Sequence, residues 1–170
     1  AGEKLVRFAA VMNDGKKGRA AARSGLGALM GSKKLKAVVV GGNQEVPVFD
    51  RTRLKEYNKK IYQACPPKKQ KGVIEDYVEE IKVAFRNGAV PVKNWQGGVF
   101  DPGEKFAKSL RGARMGFCSR CPFSDTESMY NANGERHILW EHWGPVGTNC
   151  LIDNVEALQE SFSLCQRYGL

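Results

Sequence analysis

Residues 36–65 read KAVVVGGNQEVPVFDRTRLKEYNKKIYQAC, and the character of the chain changes within them. Lys36–Gly41 is a β-branched run that predicts a strand. Gly41-Gly42-Asn43 and Pro47 then interrupt it. Asp50 stands where a helix N-cap is wanted, and Leu54, Tyr57 and Ile61 recur behind it at helical spacing. A helix is therefore predicted through Cys65, with Pro66-Pro67 to stop it. The change predicts an α+β chain: residues 1–47 form the end of a β-rich domain, and residues 48–170 begin a mostly helical one.

Upstream, Leu5–Asn13 (LVRFAAVMN) predicts a second strand, and Gly18–Gly31 reads as a Gly/Ala/Arg loop. Downstream, Val73–Asn87 predicts a helix with Ile74, Tyr77, Val78, Ile81 and Phe85 as its apolar stripe and Gly88 at C′. A short basic helix is predicted from Glu104 to Arg114. A last helix begins at Asp153, buries Val155, Leu158, Phe162 and Cys165, and ends at Gly169.

With 42% hydrophobic and 26% charged residues, the 170-residue chain has the composition of a soluble globular protein. No apolar run approaches the roughly 18–20 residues of a membrane span, so no membrane partner is expected. The opening Ala1-Gly2-Glu3-Lys4-Leu5 has no signal-peptide character and reads as if cut from something longer. Lys and Arg number 27 against 18 Asp and Glu, a net +9 that asks for an anionic partner: nucleic acid, a phosphate-bearing cofactor or an acidic protein. The basic residues are spread over Lys16–Arg19, Lys33–Lys36, Lys59–Lys60 and Lys68–Lys71, which argues against nucleic acid. Five cysteines with one close pair do not make a disulfide framework, and a reducing, cytoplasmic setting is expected. Cys65 and Cys165 fall in helical patterns and are expected in the core.

Three segments carry chemistry. Arg19–Lys33 (RAAARSGLGALMGSK) offers small residues that let a backbone approach a phosphate, flanked by arginine. It is neither a Walker loop nor a GxGxxG fingerprint, and a connector that merely turns fits it as well. Cys118-Ser-Arg-Cys121-Pro puts two thiolates on a tight turn, which suits zinc or an iron–sulfur cluster. Asp125 is either a third, oxygen ligand or a solvated turn residue. Glu135-Arg136-His137 and Glu141-His142-Trp143 place titratable groups beside aromatics, as in a polar pocket with shifted pKa values. The two histidines lack i, i+4 spacing, so histidines satisfied in the core or by solvent are expected there.

Together these segments resemble the aldehyde ferredoxin oxidoreductase family. The likeness runs the length of the chain, through AGEKLVRFAAVMNDG, RAAARSGLGALMGSKKLKAVVVGG, PVKNWQGGV, CSRCP and WEHWGPVGTNCLIDNVEALQESFSLCQRYGL. The resemblance implies a tungsten (or molybdenum) ion held by two pterins, with magnesium bridging their phosphates, and a [4Fe–4S] cluster nearby. Arg19 and Ala20 match positions that bind a pterin phosphate and offer a carbonyl to the magnesium. Cys118 and Cys121 match the first two cluster ligands, and Asp125 stands where the third cysteine belongs. Glu141 matches a glutamate that handles protons during aldehyde oxidation. Gln166, Gly169 and Leu170 match a pterin-binding motif that normally opens with Asp. Glu160 matches a glutamate of an intersubunit metal site whose histidine is Ser163 here, so no such site is expected.

Cys150 is a candidate thiolate ligand to the metal, with a core cysteine as the alternative. The resemblance further implies an aldehyde substrate, ferredoxin or another electron-transfer subunit as partner, and an oligomer. A related reductase of the aryl-CoA type is the alternative inside the family, and a basic zinc-binding nucleic-acid module the alternative outside it. Since other cofactor contacts of the family have no counterpart in these residues, the chain by itself is expected to be inactive.

Overall fold

In a computed structural model the chain is described over residues 1–15, 18–65, 70–96, 103–116 and 129–170. The first part is built on close backbone approach. A 3-10 turn at Gly2–Lys4 leads to the antiparallel hairpin of β1 (Val11–Asn13) and β2 (Arg19–Ala21), with Met12 opposite Ala20 and Asn13 opposite Arg19. Helix α1 (Leu26–Ser32) follows. Gly27 and Gly31, one helical turn apart, face backbone: a Cβ at Gly31 would overlap the Gly2 carbonyl, and one at Gly27 would lie 2.6 Å from the Ala10 oxygen.

The expected loop over Gly18–Gly31 is thus corrected to half a hairpin, a turn and a helix. Its helical glycines serve helix–backbone packing. The expected strand over Leu5–Asn13 shrinks to its last three residues, because Leu5 adopts a left-handed conformation (φ 55°) that ends extended structure. The expected strand at Lys36–Gly41 has no counterpart. Val38, Val39 and Val40 are 70%, 92% and 88% exposed, and a strand without a ladder partner leaves its backbone to water.

Helix α2 (Arg51–Ala64) begins as predicted, with the Asp50 carboxylate accepting from the Arg53 N–H at 2.9 Å. It buries none of its residues, and Leu54, Tyr57 and Ile61 stay about half exposed. Cys65, expected in the core, is exposed for the same reason: it caps a helix that has no buried face among the described residues.

The core lies between α3 (Gln70–Arg86), α4 (Gly103–Arg111) and α6 (Val155–Tyr168). Ile74, Val78 and Ile81 of α3 meet Phe106, Ala107 and Leu110 of α4 and Leu158 and Phe162 of α6. Tyr77 and Phe85 pack at the edge, and Gly88 (φ 68°) ends α3 as predicted. A short pair, β3 (Arg114–Met115) and β4 (Met129–Tyr130), leads to α5 (Trp140–His142).

A π-helical turn over Trp143–Thr148 continues α5, with the Asn149 N–H reaching the Gly144 carbonyl at 3.0 Å. Trp143 is buried against Phe106 edge to face, with ring centroids 4.7 Å apart. Helix α6 is capped by Asn154, whose side chain accepts from the Ala157 N–H at 2.8 Å. Asp153, the expected start, is instead paired with Lys105 of α4. Cys165 is only partly buried. No helix among the described residues is long and apolar enough to cross a membrane.

Candidate cofactor site

The hairpin meets the far end of the chain at the C-terminus of α6. Gly169 takes the left-handed conformation (φ 69°) that ends the helix, and its carbonyl accepts from the Ala10 N–H at 2.9 Å. The Ala1 nitrogen donates to the Tyr168 carbonyl at 2.7 Å. Arg136, reaching over from the segment after β4, donates from Nη1 to the Gly18 carbonyl at 3.1 Å. These contacts frame a cavity of about 320 Å³ lined by Met12, Gly15, Glu135, Arg136, Ser163, Gln166 and Arg167. That volume is at the lower end of the range for small-molecule sites.

Two observations describe the Gln166 side of this cavity. The Gln166 Oε1 is buried with no hydrogen-bond partner among the described residues, so an acceptor is left waiting for an N–H or O–H. Gly18 faces that oxygen with a positive φ of 60°, and a Cβ there would fill the space the amide occupies. Gly18→Ala is therefore expected to cost about 1–3 kcal/mol, from strain and displacement of Gln166 together. Urea unfolding of the two proteins would measure it, and an unchanged midpoint would contradict this placement of Gln166.

The lining is held from behind. Gln159 of α6 accepts from the Ile138 N–H at 2.8 Å and donates to the Arg136 carbonyl at 3.0 Å, so its amide binds residues 136–138 as a neighbouring strand would. Ser163 donates to Glu135 Oε2 at 3.3 Å, and Asn131 donates to the same oxygen at 3.2 Å. The expected polar segment thus divides. Glu135 and Arg136 line the cavity of Gln166, whereas His137 is 5% exposed and lines a separate cavity of about 420 Å³ with Lys105, Lys108, Asn131 and Glu156. His137 Nδ1 lies 2.7 Å from the Ile138 carbonyl, which makes it a histidine satisfied within the core.

Burial pushes both His137 and His142 below the usual imidazole range. The unfolded chain then takes up protons that the folded chain refuses. Stability is complete above the ordinary histidine pKa of about 6.5 and is lost as pH falls through it toward the depressed values. Unfolding midpoints are expected to drop between pH 7.5 and pH 5.5, and His137→Gln should flatten that slope. An equal slope in the variant would contradict the burial argument.

Among the other residues singled out from the sequence, Arg19 and Ala20 lie on β2, next to Gly18 and opposite Asn13 and Met12, beside the cavity and not among its lining residues. Leu170 is half exposed. Glu141 is exposed on α5, and Cys150 is exposed after the π-helical turn, its thiol 3.5 Å from the Pro145 carbonyl; neither lines the Gln166 cavity. Among the described residues Cys150 is thus not a core cysteine. Cys118, Cys121 and Asp125 lie outside the described residues. Among the described residues, no three His, Cys, Asp or Glu side chains are grouped to hold a metal ion. Met12, Gly15, Ser163 and Arg167 carry no sequence signal as lining, because no local spacing links residues so distant along the chain.

Residues 1–42 match the family model described as the N-terminal domain of aldehyde ferredoxin oxidoreductase, and residues 54–170 match that described as its domains 2 and 3. The chain belongs to the aldehyde ferredoxin oxidoreductase family. It is 34% identical to the tungsten-containing aldehyde ferredoxin oxidoreductase of Thermococcus kodakarensis and 33% identical to that of Pyrococcus furiosus, over its whole length in each case. It spans 29% of the length of these relatives. It is also 35% identical, over 56% of its residues, to a protein of Pyrococcus furiosus named aliphatic sulfonate oxidoreductase, WOR-like subunit. The aldehyde ferredoxin oxidoreductase family is thus one of oxidoreductases, and the Gln166 cavity lies where its N-terminal and following domain matches meet in space.

Proposed function

We propose that this chain forms part of a tungsten-pterin, iron–sulfur oxidoreductase that oxidises aldehydes to carboxylic acids and passes the electrons to ferredoxin. The observation that carries the reading is the Gln166 cavity, where a buried acceptor lacks a donor. A pterin supplies such donors, since its pyrimidine ring carries an amino group and a ring N–H. The cavity residues therefore fit the organic part of the cofactor. When bound, the tungsten-pterin group supplies the two-electron redox chemistry that amino-acid side chains lack.

The chain's own residues bind and orient. Gln166 holds a heterocycle edge from α6, and Gly169 ends that helix so that the hairpin can close over it. Arg19 and Arg136 would supply positive charge for phosphate, and the Ala20 carbonyl would be an oxygen ligand for magnesium. Cys118 and Cys121 hold a [4Fe–4S] cluster, with Asp125 in the third position. Glu141 takes and returns a proton at the substrate end, a role that an exposed carboxylate next to the π-helical turn can fill once the rest of the protein encloses it. Cys150, exposed beside that turn, is a further thiolate for the metal. The proposed setting is cytoplasmic and oligomeric, without nucleic acid.

Elemental analysis of the complete protein, purified without oxygen, tests the proposal. Tungsten or molybdenum together with iron is expected, and zinc alone would overturn it. A reductase of the aryl-CoA type would show the same metals. The relative named aliphatic sulfonate oxidoreductase favours a non-aldehyde substrate as the second reading, and assays with aldehydes and with sulfonates separate the two.

A further inference from the structure

The Gln166 cavity contains a second acceptor, from the polar segment Glu135-Arg136-His137. Glu135 lines the same wall, and both hydrogen bonds described for its carboxylate, from Ser163 and Asn131, go to Oε2. Residue 166, a glutamine, brings a neutral carbonyl oxygen and no charge. Ser163 has a side chain short enough to leave Glu135 its place, and its hydroxyl steadies the carboxylate from α6. Arg136 and Arg167 also line it, so the described lining joins a carboxylate, a neutral amide and two guanidinium groups.

We propose that Glu135 is the charged partner of the heterocycle in this cavity. Its carboxylate accepts from the 2-amino group and ring N–H of a pterin, while Gln166 Oε1 takes a neutral hydrogen bond. The inference rests on the pterin reading above and names a residue for it. A carboxylate suits a pair of adjacent N–H donors better than an amide does, because both its oxygens accept and the bonds are charge-assisted. In this arrangement the negative charge comes from the segment before α5, not from α6. Ser163, Asn131 and Gln159 are positioning residues for it.

The test uses the 170-residue chain and two fluorescent probes, pterin-6-carboxylate and lumazine-6-carboxylate, which differ in an oxo group replacing the 2-amino group. The native chain is expected to bind the pterin probe and to prefer it roughly tenfold over the lumazine probe, the size of one charge-assisted hydrogen bond. Glu135→Gln keeps the shape of the side chain and should lose that preference. Glu135→Gln with Gln166→Glu, which returns the carboxylate to the cavity from α6, should restore it. Thermal unfolding of each protein verifies that it folds, and Ser163→Ala serves as a second variant if Glu135→Gln does not. This variant should loosen Glu135 and reduce the preference in part. An unchanged preference in the folded variants would overturn the role of Glu135 while leaving the pterin reading in place. Failure of the native chain to bind either probe would overturn both.

Discussion

Replacing Trp143 by alanine is expected to cost about 3–5 kcal/mol, the largest effect of any single change considered for this chain. Its indole is 2% exposed and lies in the middle of the cluster that joins α3, α4 and α6. Phe106 meets it edge to face at 4.7 Å, and Gly147 lets the π-helical turn close over it, a Cβ there lying 3.2 Å from the ring. Removing the ring opens a void that neither the turn nor α4 can fill without breaking hydrogen bonds. The indole Nε1 is buried with no partner among the described residues, so Trp143→Phe keeps the aromatic contact and removes an unsatisfied donor. The phenylalanine variant should therefore lose clearly less than the alanine variant. Urea midpoints at constant m-value measure both, and equal losses would show that the ring is not the keystone of the cluster.

The second large effect reverses an ordinary rule. Glycine in an exposed helix is about 1 kcal/mol worse than alanine, so Gly→Ala normally stabilises. Gly72, near the start of α3, has no atom within 4 Å of the place a Cβ would take and should follow the rule. Gly31 should break it, because a methyl group there runs into the Gly2 carbonyl, and backbone cannot step aside as a side chain can. Gly31→Ala is expected to destabilise the packing of α1 on the 3-10 turn by about 1–3 kcal/mol. Hydrogen exchange of the amides in residues 1–32 reads this locally. Slower exchange in the alanine variant would refute the packing described here.

These two positions also show what a reader of the sequence can and cannot obtain. Helices α2, α3 and α6 are legible because their caps and stripes are local: Asp50, Gly88 and Gly169 stand at their ends as predicted, and the stripe of α3 is the stripe it buries. Helix α1 is not, because its glycines resemble a loop until the backbone they pack against is known. Val38–Val40 read as a strand from side-chain preference alone, but pairing depends on a partner, and preference does not supply one. The apolar face of α2 and the valine run are left bare, which is the pattern of surfaces that belong against more protein.

For the candidate site, Gln166 stands out through its resemblance to a motif, and Arg136 and Glu135 through the density of polar groups around them. That they share one cavity does not. Nothing between Gly15 and Ser163 in the sequence announces that they will be neighbours. Glu141 and Cys150 stand out by the same resemblance, and both are exposed away from that cavity.

The hydrogen bonds from Ala1 to Tyr168 and from Ala10 to Gly169 carry a consequence for the order of events during synthesis. The hairpin precedes α6, which supplies one wall of its cavity, so a long loop must close before the pocket exists. Binding in that cavity then has to wait for α6. Ribosome-bound chains stopped short of α6 should show no affinity for a pterin, and the site should be among the last regions to gain protection in refolding.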